Sequence, residues 1–195
     1  MAPVTQALLL ANVAIFMLQQ FAESLLVSYF ALWPLNTPPE AGVSFWPWQL
    51  VTYSFLHGGL MHLLFNMLAL YMFGSDIERV FGQRRYTTYY FVCVVSAAAM
   101  QLLVAVAGNL PPYPTIGASG GVFGLLLAFG LYFPRRMVML IFPPIPMPAW
   151  LFVALYGLLE LVLGVTGTSQ GVAHFAHLGG MLGGYLMIRS WRSRR

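Results

Sequence analysis

Residues 87–108 read TTYYFVCVVSAAAMQLLVAVAG, 22 positions without a charged side chain, with Arg84-Arg85 before them and Pro111-Pro112 after. A run of this length crosses about 30 Å of hydrocarbon as an α-helix. In lipid only helices or closed barrels satisfy every backbone group, and no ten-residue alternating pattern marks barrel strands. Outward from this run, further apolar segments fall at about 5–29, 54–73, 117–133, 147–166 and 175–190, separated by Pro, Gly and Arg clusters. The first lacks a charged n-region and is longer than a signal-peptide core, so it reads as a retained helix. The sequence therefore predicts an all-α membrane protein, a six-helix bundle forming a single domain over 1–195.

Composition excludes the alternatives. Of 195 residues, 59% are hydrophobic and 7% charged, with a mean hydropathy of +0.77. A soluble domain carries roughly 25% charged residues, so this chain has too little polar surface to cover a core in water. Six spans leave no length for a separate soluble domain. The single cysteine, Cys93, lies inside an apolar run and reads as a packing residue. An internal disulfide and a cysteine-rich metal site are both excluded.

The net charge of +4 does not point to nucleic acid once the basic residues are located. All nine are arginines: Arg79, Arg84, Arg85, Arg135, Arg136, Arg189, Arg192, Arg194 and Arg195. Each follows the second or fourth segment or lies at the end of the sixth, so all share one membrane face, which the positive-inside rule makes cytoplasmic. Both termini then lie on the cytoplasmic side of a plasma membrane, and loops 30–53, 109–116 and 167–174 on the outer side. The first of these holds Trp33, Phe45, Trp46 and Trp48, a composition that suits an interfacial anchor or a rim for substrate entry. Pro111-Pro112-Tyr113-Pro114 and Phe142-Pro143-Pro144-Ile145-Pro146 read as helix stops and turns.

Polar groups inside a bilayer are expensive and default to functional hypotheses. They are few here: His57, His62 and Asn66 on segment two, Ser119 opening segment four, His174 and His177 opening segment six, and Glu23 and Glu160 on segments one and five. His62 and Asn66, four apart, share a helix face and serve equally as interhelical hydrogen bonders or as donors into a cavity. His57 looks elsewhere and reads as a structural hydrogen bond between loop and bundle. Ser119 sits in Gly117-Ala118-Ser119-Gly120-Gly121, where a helix start offers free N–H groups; it reads as an N-cap, a packing residue or a nucleophile. His177 lies in Ala176-His177-Leu178-Gly179-Gly180, and the glycines on both helices allow close approach. A serine hydroxyl beside an imidazole suits acyl transfer, with the Ser119 N–H, His62 and Asn66 holding the oxyanion. Asp76 and Glu78 lie about 20 Å too far along the helix axis to orient the base. Glu160 reads as a structural partner for a polar group on a neighbouring helix, which leaves a Ser–His dyad whose histidine is oriented by packing alone.

From Trp48 to Gly184 the chain resembles the rhomboid family of intramembrane serine proteases. The resemblance rests on His57-Gly58-Gly59-Leu60-Met61-His62 with Asn66, on Gly117-Ala118-Ser119-Gly120, and on Ala176-His177-Leu178-Gly179-Gly180, in that order. It implies a six-helix core over about 48–190, Ser119 as nucleophile, His177 as base, His62 and Asn66 at the oxyanion hole, and no cofactor or metal. It also implies transmembrane protein substrates and a water-filled cavity open to the outer face. Two positions depart from the family pattern: Trp48-Gln49 replaces Trp-Arg, and Val80 stands where an arginine commonly follows Glu78 by two. Both concern loop stapling. The competing classes are a catalytically silent client-binding relative, which should lack the serine or histidine, a histidine metal site, which lacks His-Glu-x-x-His, and a proton-coupled transporter, which should show repeated broken helices.

Overall fold

The computed structural model describes residues 2–108, 111–139, 144–167 and 173–193. Parts of the loops 109–116 and 167–174, the Phe142-Pro143 pair and the terminal Arg194 and Arg195 lie outside the described residues. The helices are α1 (Pro3–Phe30), the short α2 (Gln49–Thr52), α3 (Leu60–Ala69), α4 (Ser75–Phe81), α5 (Gln83–Ala107), α6 (Ser119–Tyr132), α7 (Ala149–Thr166) and α8 (His174–Arg192). A π-helical turn over Leu70–Gly74 joins α3 to α4. A small antiparallel hairpin, β1 (Met137–Met139) on β2 (Pro146–Pro148), occupies part of the link from α6 to α7, where the sequence indicates only turns.

Four helical stretches are long and apolar enough to cross a bilayer: Pro3–Phe30, Leu60–Phe81, Gln83–Ala107 and Ala149–Thr166. Large apolar side chains such as Phe21, Leu64, Leu103 and Val165 face outward from them, as expected when lipid is the solvent. α8 is comparable in length but ends in Arg189 and Arg192. α6 differs: it has only 14 residues, ten of them buried. At 1.5 Å per residue it spans about 21 Å, some 9 Å short of the hydrocarbon thickness. A helix sheathed by its neighbours need not reach both surfaces. Its C-terminal end leads directly to Arg135-Arg136, so with those arginines at one membrane surface the shortfall is at the Ser119 end.

Glycines set the spacing around α6. A Cβ on Gly180 would overlap the Gly120 carbonyl, one on Gly124 would overlap the Cys93 side chain, and one on Gly184 would overlap the Tyr89 hydroxyl. The backbones of α6 and α8 therefore touch, and α5 closes over both. Tyr89 donates to the Gly124 carbonyl at 2.7 Å, and Tyr53 donates to the Val94 carbonyl at 2.9 Å. Each buried phenol thereby acquires an acceptor where water is absent.

α1 presents Thr5, Leu8, Asn12, Phe16 and Gln19 to the bundle. Its free N-terminal N–H groups meet the buried Glu78 carboxylate: Val4 N–H donates at 2.9 Å, Thr5 N–H at 2.7 Å and the Thr5 hydroxyl at 2.7 Å. A carboxylate is stabilised there by unpaired donors and by the positive end of the helix dipole. Arg79 instead pairs with Asp76 at 2.9 Å, as does Arg136 at 2.6 Å from the start of the hairpin link.

At the other end of α1, its last carbonyls are taken by the first loop. The Trp33 indole donates to Val27 at 3.1 Å, the Trp48 indole to Tyr29 at 2.9 Å and the Thr52 hydroxyl to Phe30 at 2.8 Å. Gln49, in the place of the family arginine, is fully buried. Its amide donates to the Tyr29 and Ser44 carbonyls at 3.3 and 3.2 Å and accepts from the Trp33 N–H at 3.2 Å. A neutral amide thus staples this loop. Trp46 and Trp48 stack at 5.0 Å on its surface, nearly half exposed, as interfacial aromatics do.

The glycine contacts carry a prediction. Gly180→Ala should lower the melting temperature of the detergent-solubilised protein, by an overpacking cost of about 1–3 kcal/mol. Gly157→Ala, whose Cβ would meet Met181 at an ordinary 3.5 Å, should leave it unchanged or slightly raised, because alanine is the better helix former. Equal melting shifts for the two variants would contradict the backbone contact.

Candidate active site

The segment entering α6 is held by backbone pairing. Leu32 and Thr115 exchange N–H···O bonds at 3.0 and 2.9 Å, and Gly117 N–H donates to the Tyr53 carbonyl at 3.0 Å. Gly117 has φ +126°, a conformation side chains rarely adopt, and a Cβ there would come within 2.8 Å of His62 Cε1 and Nε2. Glycine is therefore required twice over, for the turn and for the imidazole lying against it. Ser119 follows as the first residue of α6, where helix geometry leaves its N–H without an intrahelical acceptor.

His177 lies one turn into α8. Its Nε2 stands 2.8 Å from Ser119 Oγ, across 58 residues of chain. Phe123, one turn along α6 from Ser119, stacks flat on the imidazole at 4.2 Å with a 6° interplanar angle. The glycine-spaced approach of α6 to α8 brings these groups together.

His62 accepts the Gly58 N–H at Nδ1, 3.3 Å away. That places its proton on Nε2, so the ring offers a donor beside Gly117, two residues before Ser119. Asn66, one turn below, is buried and donates Nδ2 to the His62 carbonyl at 2.9 Å. It buttresses its own helix while its side chain also lines the cavity described below.

The expectation for His57 needs correcting. Its ring makes no well-formed hydrogen bond and packs edge-on against His62 at 5.1 Å. The tie to the bundle runs through its backbone: Gln19 on α1 donates to the His57 carbonyl at 2.9 Å and accepts the His57 N–H at 3.1 Å. Sequence reading missed Gln19. The available signal was the seven-residue spacing of Thr5, Asn12 and Gln19 on one face of an apolar helix. Glu23, one residue past a kink at Ala22, is exposed and stands apart from these groups.

The expectation that packing alone orients His177 also needs correcting. Glu160 on α7 places Oε2 2.9 Å from His177 Nδ1 and 2.6 Å from His174 Nδ1. All three side chains are buried. Their ligand atoms lie within 4.8 Å of one another, the donor set of a possible cation site. The carboxylate oxygen, however, is already engaged by both rings at hydrogen-bond distance, and His57 and His62 are not part of this cluster.

A cavity of about 630 Å³ runs from these groups between α3, α6 and α7 toward the hairpin. Ser119, His177, His62 and Asn66 line it together with Phe65, Met72, Phe73, Leu126, Val138, Phe152 and Tyr156. Polar groups thus meet an otherwise apolar channel, a form suited to an extended or helical apolar ligand.

The model of the Rhomboid domain matches residues 44–193, leaving out all of α1 and the first part of the loop that follows it. Among curated proteins the chain is 28% identical over 140 residues to Rhomboid protease GluP of Bacillus subtilis, covering 71% of this chain and 25% of that protein. It is 34% identical over 148 residues to RHOMBOID-like protein 4 of Arabidopsis thaliana, covering 72% and 33%. To Putative rhomboid protease YdcA of Bacillus subtilis it is 29% identical over 147 residues, covering 72% and 65%. The matched region is thus a quarter to about two-thirds of each relative's length.

Burial, reinforced by neighbouring His62, pushes the His57 pKa from 6.5 down to about 4, and the Phe55 backbone offsets this only in part. The folded protein therefore holds this ring neutral while the unfolded chain protonates it. As pH falls below 6.5 the unfolded state takes up a proton that the folded state refuses, so stability drops until about pH 4. The melting temperature in detergent should decline across that window, and His57→Phe should flatten the decline. An unaltered slope in the variant would contradict the assignment.

Proposed function

The chain belongs to the rhomboid family, and from that premise we propose that it is an intramembrane serine endopeptidase that hydrolyses peptide bonds in or near transmembrane segments of other membrane proteins. The observation that carries this reading is the 2.8 Å contact between Ser119 Oγ and His177 Nε2 at the mouth of an apolar cavity.

In the first step His177 Nε2 takes the Ser119 proton as Oγ bonds to the scissile carbonyl carbon. Negative charge moves to the carbonyl oxygen, facing the Ser119 N–H, the His62 Nε2–H and the free face of the Asn66 amide. Collapse of this intermediate breaks the C–N bond while the imidazolium returns its proton to the leaving amine. Water, deprotonated by His177, then attacks the acyl ester and releases Ser119. The recessed end of the short α6 suits this requirement, since a site some 9 Å below the surface keeps access to water from one side.

Apolar lining on the α3, α6 and α7 walls suits a substrate that is itself a transmembrane helix. The peptide bond must leave its helical hydrogen bonds to reach Ser119, so substrates with easily unwound segments fit best. By the positive-inside rule the arginine face is cytoplasmic and the site opens to the outer side of a plasma membrane.

A serine-directed fluorophosphonate probe tests this reading on the detergent-purified protein. Wild type should label, and Ser119→Ala and His177→Ala should not, with all three folded. His62→Ala should slow cleavage of a transmembrane peptide by about 100- to 1000-fold, the usual loss for one oxyanion donor. A folded, unlabelled wild type that binds transmembrane peptides would instead support a silent client-binding protein.

A further inference from the structure

We propose that Glu160 is a positioning residue for His177, so that Glu160, His177 and Ser119 act as one hydrogen-bonded series, with His174 holding the carboxylate in place. The inference deepens the protease reading and rests on it.

The geometry supplies each link. Glu160 Oε2 lies 2.9 Å from His177 Nδ1, and His177 Nε2 lies 2.8 Å from Ser119 Oγ. An ionised carboxylate only accepts, so His177 must carry its proton on Nδ1 and leave Nε2 with a lone pair for the Ser119 proton. The opposite tautomer would present an N–H to the serine and could not act as base. When His177 takes the serine proton, the new imidazolium stands against an anion rather than alone in a low-dielectric interior, where an unpaired charge is costly. Glu160 touches neither substrate nor Ser119, so it works through the base.

His174 gives the arrangement its rigidity. Its Nδ1 meets the same oxygen at 2.6 Å, and its ring stands edge-on to His177 with centroids 6.4 Å apart. Gly164 lies one turn beyond Glu160 on the same face of α7, where a Cβ would come 3.2 Å from His174 Cβ. That close packing brings the carboxylate to the start of α8.

The test measures fluorophosphonate labelling as a maximal rate and a probe affinity. Glu160→Gln should lower the maximal rate by about 10- to 1000-fold, leave the probe affinity near wild type, and be partly rescued by Glu160→Asp, which keeps the charge. A maximal rate within about 2-fold of wild type would overturn the proposal, while continued absence of labelling in Ser119→Ala would leave the protease reading standing. Labelling of Ser119→Ala as fast as wild type would overturn that reading itself. Should Glu160→Gln not fold, nitrogen NMR of histidine-labelled wild type decides. His177, assigned by loss of its signals in His177→Ala, should be protonated at Nδ1, and protonation at Nε2 would overturn the proposal.

Discussion

Gly120 and Gly180 bring the backbones of α6 and α8 into direct contact, and the position of every group around Ser119 depends on that approach. Without side chains between them, Ser119 at the start of one helix and His177 near the start of the other meet at 2.8 Å. A methyl group at Gly180 would strike the Gly120 backbone and hold the helices apart, lengthening the hydrogen bond, while one at Gly120 would strike Ala97 on α5. Lipid offers no hydrophobic drive for helix association, so this packing has to come from van der Waals contact and buried hydrogen bonds. The Tyr89 bond to the Gly124 carbonyl, from α5 to α6, and the Tyr53 bond to the Val94 carbonyl on α5 supply such hydrogen bonds around the pair.

The same scarcity of water explains the polar residues that carry no chemistry. Glu78 sits where α1 exposes its unpaired N–H groups, and Gln19 reads both backbone groups of His57. Gln49 does for the first loop what a charged residue does elsewhere in the family, using an amide that both donates and accepts. Each places a hydrogen-bonding side chain against backbone that secondary structure has left unpaired. The frame around Gly117 is built instead from backbone pairing with Leu32 and Tyr53, which fixes the turn against which His62 lies.

Much of this was legible in the sequence, for physical reasons that differ by residue. Apolar runs report the bilayer directly, so the helices were found; α6 appeared as an ordinary span because hydropathy does not register how short its helical part is. Ser119 and His177 stood out because glycines flank both, and such flanking predicts close approach whatever the partner. His62 was found from its four-residue spacing to Asn66, although the Asn66 amide turned out to donate to the His62 carbonyl. Gln19 and Glu160 were harder. Their partners lie 38 and 17 residues away, in the loop before α3 and on α8, and which side a helix presents to a distant segment depends on rotations that hydropathy does not encode. For His57 the error was in the atom: its backbone forms the tie, while its ring does not.

Glu160 also makes the state of the site depend on where α7 sits. It is the only charged side chain on that helix, and α7 turns a mostly apolar, outward-facing surface to lipid. The cavity opens between α7 and α3, so the helix that carries the carboxylate is also one wall of the space a substrate would enter. Moving α7 away would break both imidazole bonds and bury a lone anion in a nonpolar medium, a cost that opposes displacement. The same two bonds therefore restrain the wall and orient the base, and a site with α7 displaced would hold Ser119 and His177 without the anion that fixes the imidazole tautomer.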